Sequence, residues 1–177
     1  RRLADPSGAL ESLVKMRRQS REHAQAGWEA DPFPESFDVK NGPGGIREIE
    51  FLAQGLVLAH RMAPTDASES PGNTLGELGR LREAGLLDTQ VGEQLAEDYT
   101  LLRRMEHSLQ LDADRQVHSL PAEGPARRRA LRAAGINPGK DNAREVLREL
   151  RARNLATFEQ AAATWHKKAP GEPGGGD

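Results

Sequence analysis

The sequence predicts an all-α protein, a bundle of roughly five or six helices. Three observations carry that prediction. Aromatic residues make up only 4% of the 177 residues and the hydrophobic set 36%, a supply that suits a core of Leu, Ala, Ile and Val better than a sheet. Apolar residues recur at helical spacing in segments punctuated by Gly and Pro. No segment of useful length alternates with the period of a strand, and no repeat of 20–50 residues is present.

Each element follows in order. Ser7–Ala26 reads as a helix with Leu10, Leu13, Val14 and Met16 inward, Arg17, Arg18, Arg21 and Glu22 outward, and Gly27 as its stop. Ala30–Glu35 holds two prolines, which forbid helix and make a stiff linker. Phe37–Lys40 is short and extended, and Asn41–Gly45 is a run of turn formers. The most apolar helix then runs from Ile46 to about Met62. After a polar loop from Ala63 to Asn73, Thr74 caps a short helix that closes at Gly85, leaving Leu86 and Leu87 to pack inward.

Asp88 caps a long helix to about Leu111, and Ser119-Leu-Pro121 blocks its continuation. Pro125–Ala134 is a short basic helix closed by Gly135. Asp141 or Asn142 caps the last helix, which reaches about His166 with Val146, Leu147, Leu150, Leu155 and Phe158 inward. The expected organisation is one helical domain over 1–168 and a disordered Gly/Pro tail over 169–177. The chain lacks an initiator Met, which leaves open that it is an internal piece.

Composition narrows the function. The net charge is -2, from 25 basic and 27 acidic residues, so no global field draws in nucleic acid or an anionic membrane, and neither is expected as a partner. The absence of cysteine excludes disulfides and thiolate metal sites and suits a reducing cytoplasm. No apolar run approaches the ~20 residues that span a bilayer.

Two segments carry chemical information. In the first, Asp38 to Gln54, glycines precede a helix start, so backbone can approach a ligand closely where unpaired N–H groups and the positive end of the helix dipole are on offer. Lys40 and Arg47 add mobile positive charge, and together with Gly44 and Gly45 they form a candidate phosphate contact. The pattern is neither a Walker loop nor a dinucleotide fingerprint. The alternative is a tight turn with Glu48 stabilising the helix start.

The second segment runs from Leu101 to Gln110 and on through Gln116-Val-His118-Ser-Leu-Pro121. Arg103, Glu106 and Gln110 repeat the i, i+3, i+7 spacing of Arg47, Glu50 and Gln54, so each set forms one polar stripe on an otherwise apolar helix. The two stripes are expected to face each other and satisfy each other in a buried network. The alternative is two independent solvated stripes.

Together these residues resemble a known family. Asp38-x-Lys40 with Gly44-Gly-Ile-Arg-Glu-Ile-Glu-Phe51, then Leu102-Arg-Arg-x-Glu-His-x-Leu-Gln110 and Gln116-Val-His-Ser-Leu-Pro121, are similar to the helical domain of glutamine synthetase adenylyltransferase (the adenylyltransferase/adenylyl-removing enzyme). A similar domain follows the catalytic domain in the related PII uridylyltransferase. The resemblance covers about Leu10 to Phe158.

The resemblance implies a helical accessory domain beside a nucleotidyltransferase domain that holds ATP and Mg²⁺ with a Gly-Ser helix start and an Asp-x-Asp pair. That enzyme transfers AMP to a tyrosine of glutamine synthetase or removes it by phosphorolysis. Lys40, Gly44, Gly45 and Arg47 would then border the nucleotide phosphates, and Glu50, Gln54, Arg103, Glu106 and Gln110 would form a structural network. The chain lacks the catalytic domain, so no catalytic residue, resident metal or cofactor is assigned to it, and it is expected to be inactive alone. The alternative function is a non-catalytic interaction module that binds glutamine synthetase or a PII signal protein.

Three decoys are set aside. Asp112-Ala-Asp114 lies at a helix end without a phosphate loop upstream. His107, Asp114 and His118 lack metal-ligand spacing, and His118 reads as a capping or packing residue. Arg127-Arg-Arg129 with Arg132 reads as a solvated helix face.

Overall fold

The computed structural model describes residues 6–24, 31, 33–62, 73–113, 118–139 and 142–165. Six helices are present among them: α1 (Pro6–Ala24), α2 (Ile46–Ala59), α3 (Thr74–Glu83), α4 (Thr89–Ala113), α5 (Pro125–Ala133) and α6 (Ala143–Trp165). Two two-residue strands, β1 (Phe37–Asp38) and β2 (Ser119–Leu120), pair antiparallel with Phe37 opposite Leu120. The all-α reading holds. The strand pair was not expected, because two residues are too few to show an alternating pattern. Gly27, Asp141 and the 169–177 tail lie outside the described residues.

Helix α2 is the axis of the molecule, packed by α1, α3, α4 and α6. Ile46, Ile49, Phe51, Leu52, Ala53 and Leu56 are all buried, so the helix is apolar around most of its circumference, as a central helix must be. Leu78 and Leu81 of α3, Leu95 and Leu102 of α4, and Leu150, Phe158 and Trp165 of α6 close this first core. Leu86 and Leu87 pack against it as expected. Gly55 permits the approach of α6: a Cβ there would lie 2.0 Å from Trp165. Trp165 meets Phe158 edge to face at 6.0 Å. A second core joins Phe37, Val39 and Leu120 to Met105 and Leu109 of α4, Leu131 of α5 and Leu147 of α6. The segment from Val39 to Ile46 therefore bridges the two cores.

Several sequence expectations are corrected. Arg17, placed on the outer face of α1, is 1% exposed and paired with the buried Glu48 of α2, while Met16 is half exposed. A carboxylate inside a helical core needs a cation, and the long Arg17 stem can deliver one from the neighbouring helix. Thr74 is a buried first residue of α3, and Asn73 makes the cap by accepting from Gly76 N–H at 3.1 Å. Asp88 does cap α4, accepting from Gln90 and Val91. Val146 and Leu155 of α6 are only half-buried, whereas Arg151 and Asn154 are fully inside. No helix among the described residues is long and apolar enough to cross a membrane.

Candidate functional site: the glycine loop and the Glu106 cluster

The loop between β1 and α2 is ordered by Asp38. Its Oδ1 accepts the N–H groups of Lys40 and Asn41, each at 2.8 Å, and its carbonyl accepts from Gly42 at 2.9 Å. This is the local carboxylate-to-backbone turn that Asp favours. The loop carbonyls then take up the start of α2. Ile46 N–H donates to Val39 at 3.0 Å, Arg47 N–H to Lys40 at 3.0 Å, and Glu48 N–H to Gly45 at 3.2 Å. The amides of Ile46, Arg47 and Glu48 at the helix start are therefore already satisfied within the protein.

The glycines have a partner of their own. Gly44 is buried with φ +69°, and a Cβ there would lie 1.9 Å from the carbonyl oxygen of Arg151. The close backbone approach that the glycine run permits is that of α6. A Cβ on Gly45 would meet the Val39 carbonyl at 2.7 Å. Helix α6 holds the loop in return. Arg151 Nε donates to the Pro43 carbonyl at 3.1 Å and Nη1 to the Pro34 carbonyl at 3.0 Å, with its guanidinium 3.8 Å from the centre of the Phe37 ring. Burial brings the Arg151 group down to about 10, so it remains cationic at neutral pH. Asn154 donates to the Gly44 carbonyl at 3.2 Å.

The side chains of Lys40 and Arg47 remain reachable, 27% and 40% exposed. Arg47 contacts Glu50 at 3.3 Å and lies over the Phe51 ring at 5.7 Å. Lys40 Nζ stands 3.5 Å from Oε1 of Glu106. Glu106 is itself buried, with Arg103 donating to Oε2 at 2.6 Å and His118 Nδ1 3.0 Å from Oε1. His118 also anchors the loop through its carbonyl, which accepts Val39 N–H at 2.8 Å.

The two polar stripes do not join in the expected way. Arg47 turns to Glu50 and Arg103 to Glu106, each three residues along its own helix. Residues at that spacing are already neighbours, so intrahelical pairs form without help from the fold. The crossing contacts come from other residues: Tyr99 OH donates to Glu50 at 3.4 Å, and Lys40 reaches Glu106. Gln54 and Gln110 are half-buried and belong to neither cluster among the described residues.

Sequence reasoning missed Arg151, Asn154 and Arg17, and also Asp98, which is buried on α4 and held by both Arg153 Nε at 2.8 Å and Nη2 at 2.6 Å. The available signal was a charged residue inside an otherwise apolar helical stripe. Arg127 is a further correction: it is buried and donates to the carbonyls of Glu35 at 2.9 Å and Pro121 at 3.1 Å, tying two connecting segments together, while Arg128, Arg129 and Arg132 are exposed. The side chains of Asp112 and Asp114 lie outside the described residues. Among the described residues no three His, Asp or Glu side chains are grouped as a metal site.

The helical bundle thus sets a lysine-bearing glycine loop against a buried Glu106 that Arg103 and His118 also approach. The chain belongs to the PII-uridylyltransferase/glutamine synthetase adenylyltransferase family: the family model described as GlnD PII-uridylyltransferase matches residues 13–163. Among curated relatives, the bifunctional glutamine synthetase adenylyltransferase/adenylyl-removing enzyme of Xanthomonas campestris pv. campestris is 42% identical over 135 residues, 75% of this chain and 14% of that protein. The proteins of the same name from Bradyrhizobium diazoefficiens and Agrobacterium fabrum are 35% and 34% identical, covering 80% and 86% of this chain. The chain spans 14–15% of the length of these three relatives.

Proposed function

We propose that this chain serves as the helical accessory domain of a bifunctional glutamine synthetase adenylyltransferase/adenylyl-removing enzyme. In this reading an adjacent nucleotidyltransferase domain holds ATP and Mg²⁺ in the cytoplasm. The helical domain supports AMP transfer to a glutamine synthetase tyrosine or its phosphorolytic removal. Lys40 and Arg47 border the nucleotide phosphates as charge contacts. Gly44 and Gly45 shape the loop that carries Lys40, and their own backbone is turned to α6 and to Val39. Transfer of a phosphoryl-type group depends mainly on positioning and charge, which a non-catalytic domain can supply.

The carrying observation is the junction itself. The Arg47 N–H bonds the Lys40 carbonyl at 3.0 Å, so the two cations are fixed at one loop-to-helix corner while both side chains stay accessible. The test is a graft of this chain into the Xanthomonas campestris relative, in place of the segment it matches. The grafted enzyme should transfer and remove AMP, and Lys40→Ala should raise the KM for ATP about tenfold, as expected for a lost charge-assisted hydrogen bond. An inactive graft, or unchanged constants in Lys40→Ala, would count against this role.

A further inference from the structure

Three basic side chains from three segments converge on one acid. The Glu106 side chain is 2% exposed; its Oε1 faces Lys40 at 3.5 Å and His118 at 3.0 Å, and its Oε2 accepts from Arg103 at 2.6 Å. One cation is enough to neutralise a buried carboxylate. Here Lys40 and Arg103 outweigh it by one charge whatever the protonation of His118. The excess lies on the accessible side, because Lys40 and Arg103 are 27% and 42% exposed above the buried acid.

The geometry sorts these groups by role. An ammonium has three donors and a guanidinium five, and Glu106 engages only a small part of each. Both side chains are partly exposed, 27% and 42%, and so within reach of a further acceptor. Without the carboxylate that both cations approach, at 3.5 and 2.6 Å, they would repel each other, and each long side chain would have to be reordered on binding. With it, they form a fixed pair suited to the oxygens of one phosphate group.

We propose that Glu106 is a positioning residue that holds Lys40 and Arg103 as a cation pair, and that Arg103 joins Lys40 in contacting the phosphate oxygens of the reactants. The inference rests on the accessory-domain reading and extends it, since Arg103 was expected only in a structural network. The phosphate oxygens can belong to ATP in the transfer direction or to inorganic phosphate in phosphorolysis.

The experiment uses the grafted enzyme with Glu106→Gln, Arg103→Gln, Arg103→Lys and Lys40→Ala, singly and combined. KM and kcat are measured for ATP and separately for inorganic phosphate, with the melting temperature of each variant. Arg103→Gln and Glu106→Gln should each raise KM for at least one of these reactants about tenfold, and Arg103→Lys should stay within about threefold of the parent. Which KM moves identifies the anion. In a Lys40→Ala/Arg103→Gln background, Glu106→Gln should add less than about twofold, because it acts through those two residues.

A merely structural Glu106 would lower kcat and melting temperature by the same amount in every background, and that result overturns the proposal. So does an unchanged KM for both reactants in Arg103→Gln, a variant at a half-exposed position that keeps the test open if Glu106→Gln fails to fold. A silent Lys40→Ala would refute the accessory-domain reading itself. An active effect of Lys40→Ala beside silent Arg103 and Glu106 variants would refute only the positioning role.

Discussion

Gly44→Ala should be among the most damaging single-methyl substitutions in this protein. Residue 44 has φ +69°, where an L side chain costs about 1–2 kcal/mol. The added Cβ would also lie 1.9 Å from the Arg151 carbonyl oxygen and 2.4 Å from its carbon, so the obstacle is the main chain of α6, which cannot swing aside like a side chain. Relieving such overpacking costs about 1–3 kcal/mol. Moving α6 away also weakens the Asn154 bond to Gly44 and the Arg151 bond to Pro43, about 1 kcal/mol more.

The expected loss is about 4 kcal/mol, a large part of the 5–15 kcal/mol that holds a typical domain together. It corresponds to a fall in melting temperature of about 10 °C. Gly85→Ala is the control, because Gly85 has φ +66° but nothing within 4 Å of the added Cβ, so it should lose only about 1 kcal/mol. Equilibrium urea unfolding followed by circular dichroism measures both, compared at constant m value. If the two variants lie within about 0.5 kcal/mol of each other, the contact with α6 does not constrain the loop and the reasoning fails.

Two further outcomes can be checked on the same chain. Glu48→Ala should destabilise by about 3 kcal/mol because it removes the buried carboxylate that pairs with the buried Arg17, and the double replacement Arg17→Met/Glu48→Leu should recover most of that loss in urea unfolding. Tyr99 is the sole tyrosine, and burial, with Glu50 adding to it against Thr74 and Arg103, raises its phenol above 10.0. The phenolate absorbance of the folded chain should therefore rise at higher pH than in concentrated guanidinium. Because the fold favours the protonated phenol, this contribution to stability is complete below about pH 10 and is lost as pH rises through the folded-state value.

The helices were legible because their signals are local. Apolar spacing together with caps and the closing Gly and Pro residues located the six helices among the described residues, and Gly85 and Gly135 do stand at positive φ after α3 and α5. Asp88 was readable as a cap for the same reason. Thr74 was not, since a neighbouring Asn73 could serve equally and the choice depends on which residue the core buries. The charged residues were read least well. Arg17, Arg127 and Arg151 look like surface residues by type, and each is buried because a carboxylate or a set of carbonyls awaits it on a distant segment.

The candidate site divides along the same line. The chain by itself determined the family signature, the two motifs and the placement of Lys40, Arg47, Arg103 and Glu106 on a loop and two helix faces, because each depends on residues a few positions apart. Only the tertiary structure decided what the glycines face and what Glu106 holds. Gly44 packs on α6 more than a hundred residues downstream, and Lys40 reaches Glu106 across two elements. No local pattern encodes such pairings, since they arise when the cores built by α2, α4 and α6 close and bring those segments within a few ångströms of one another.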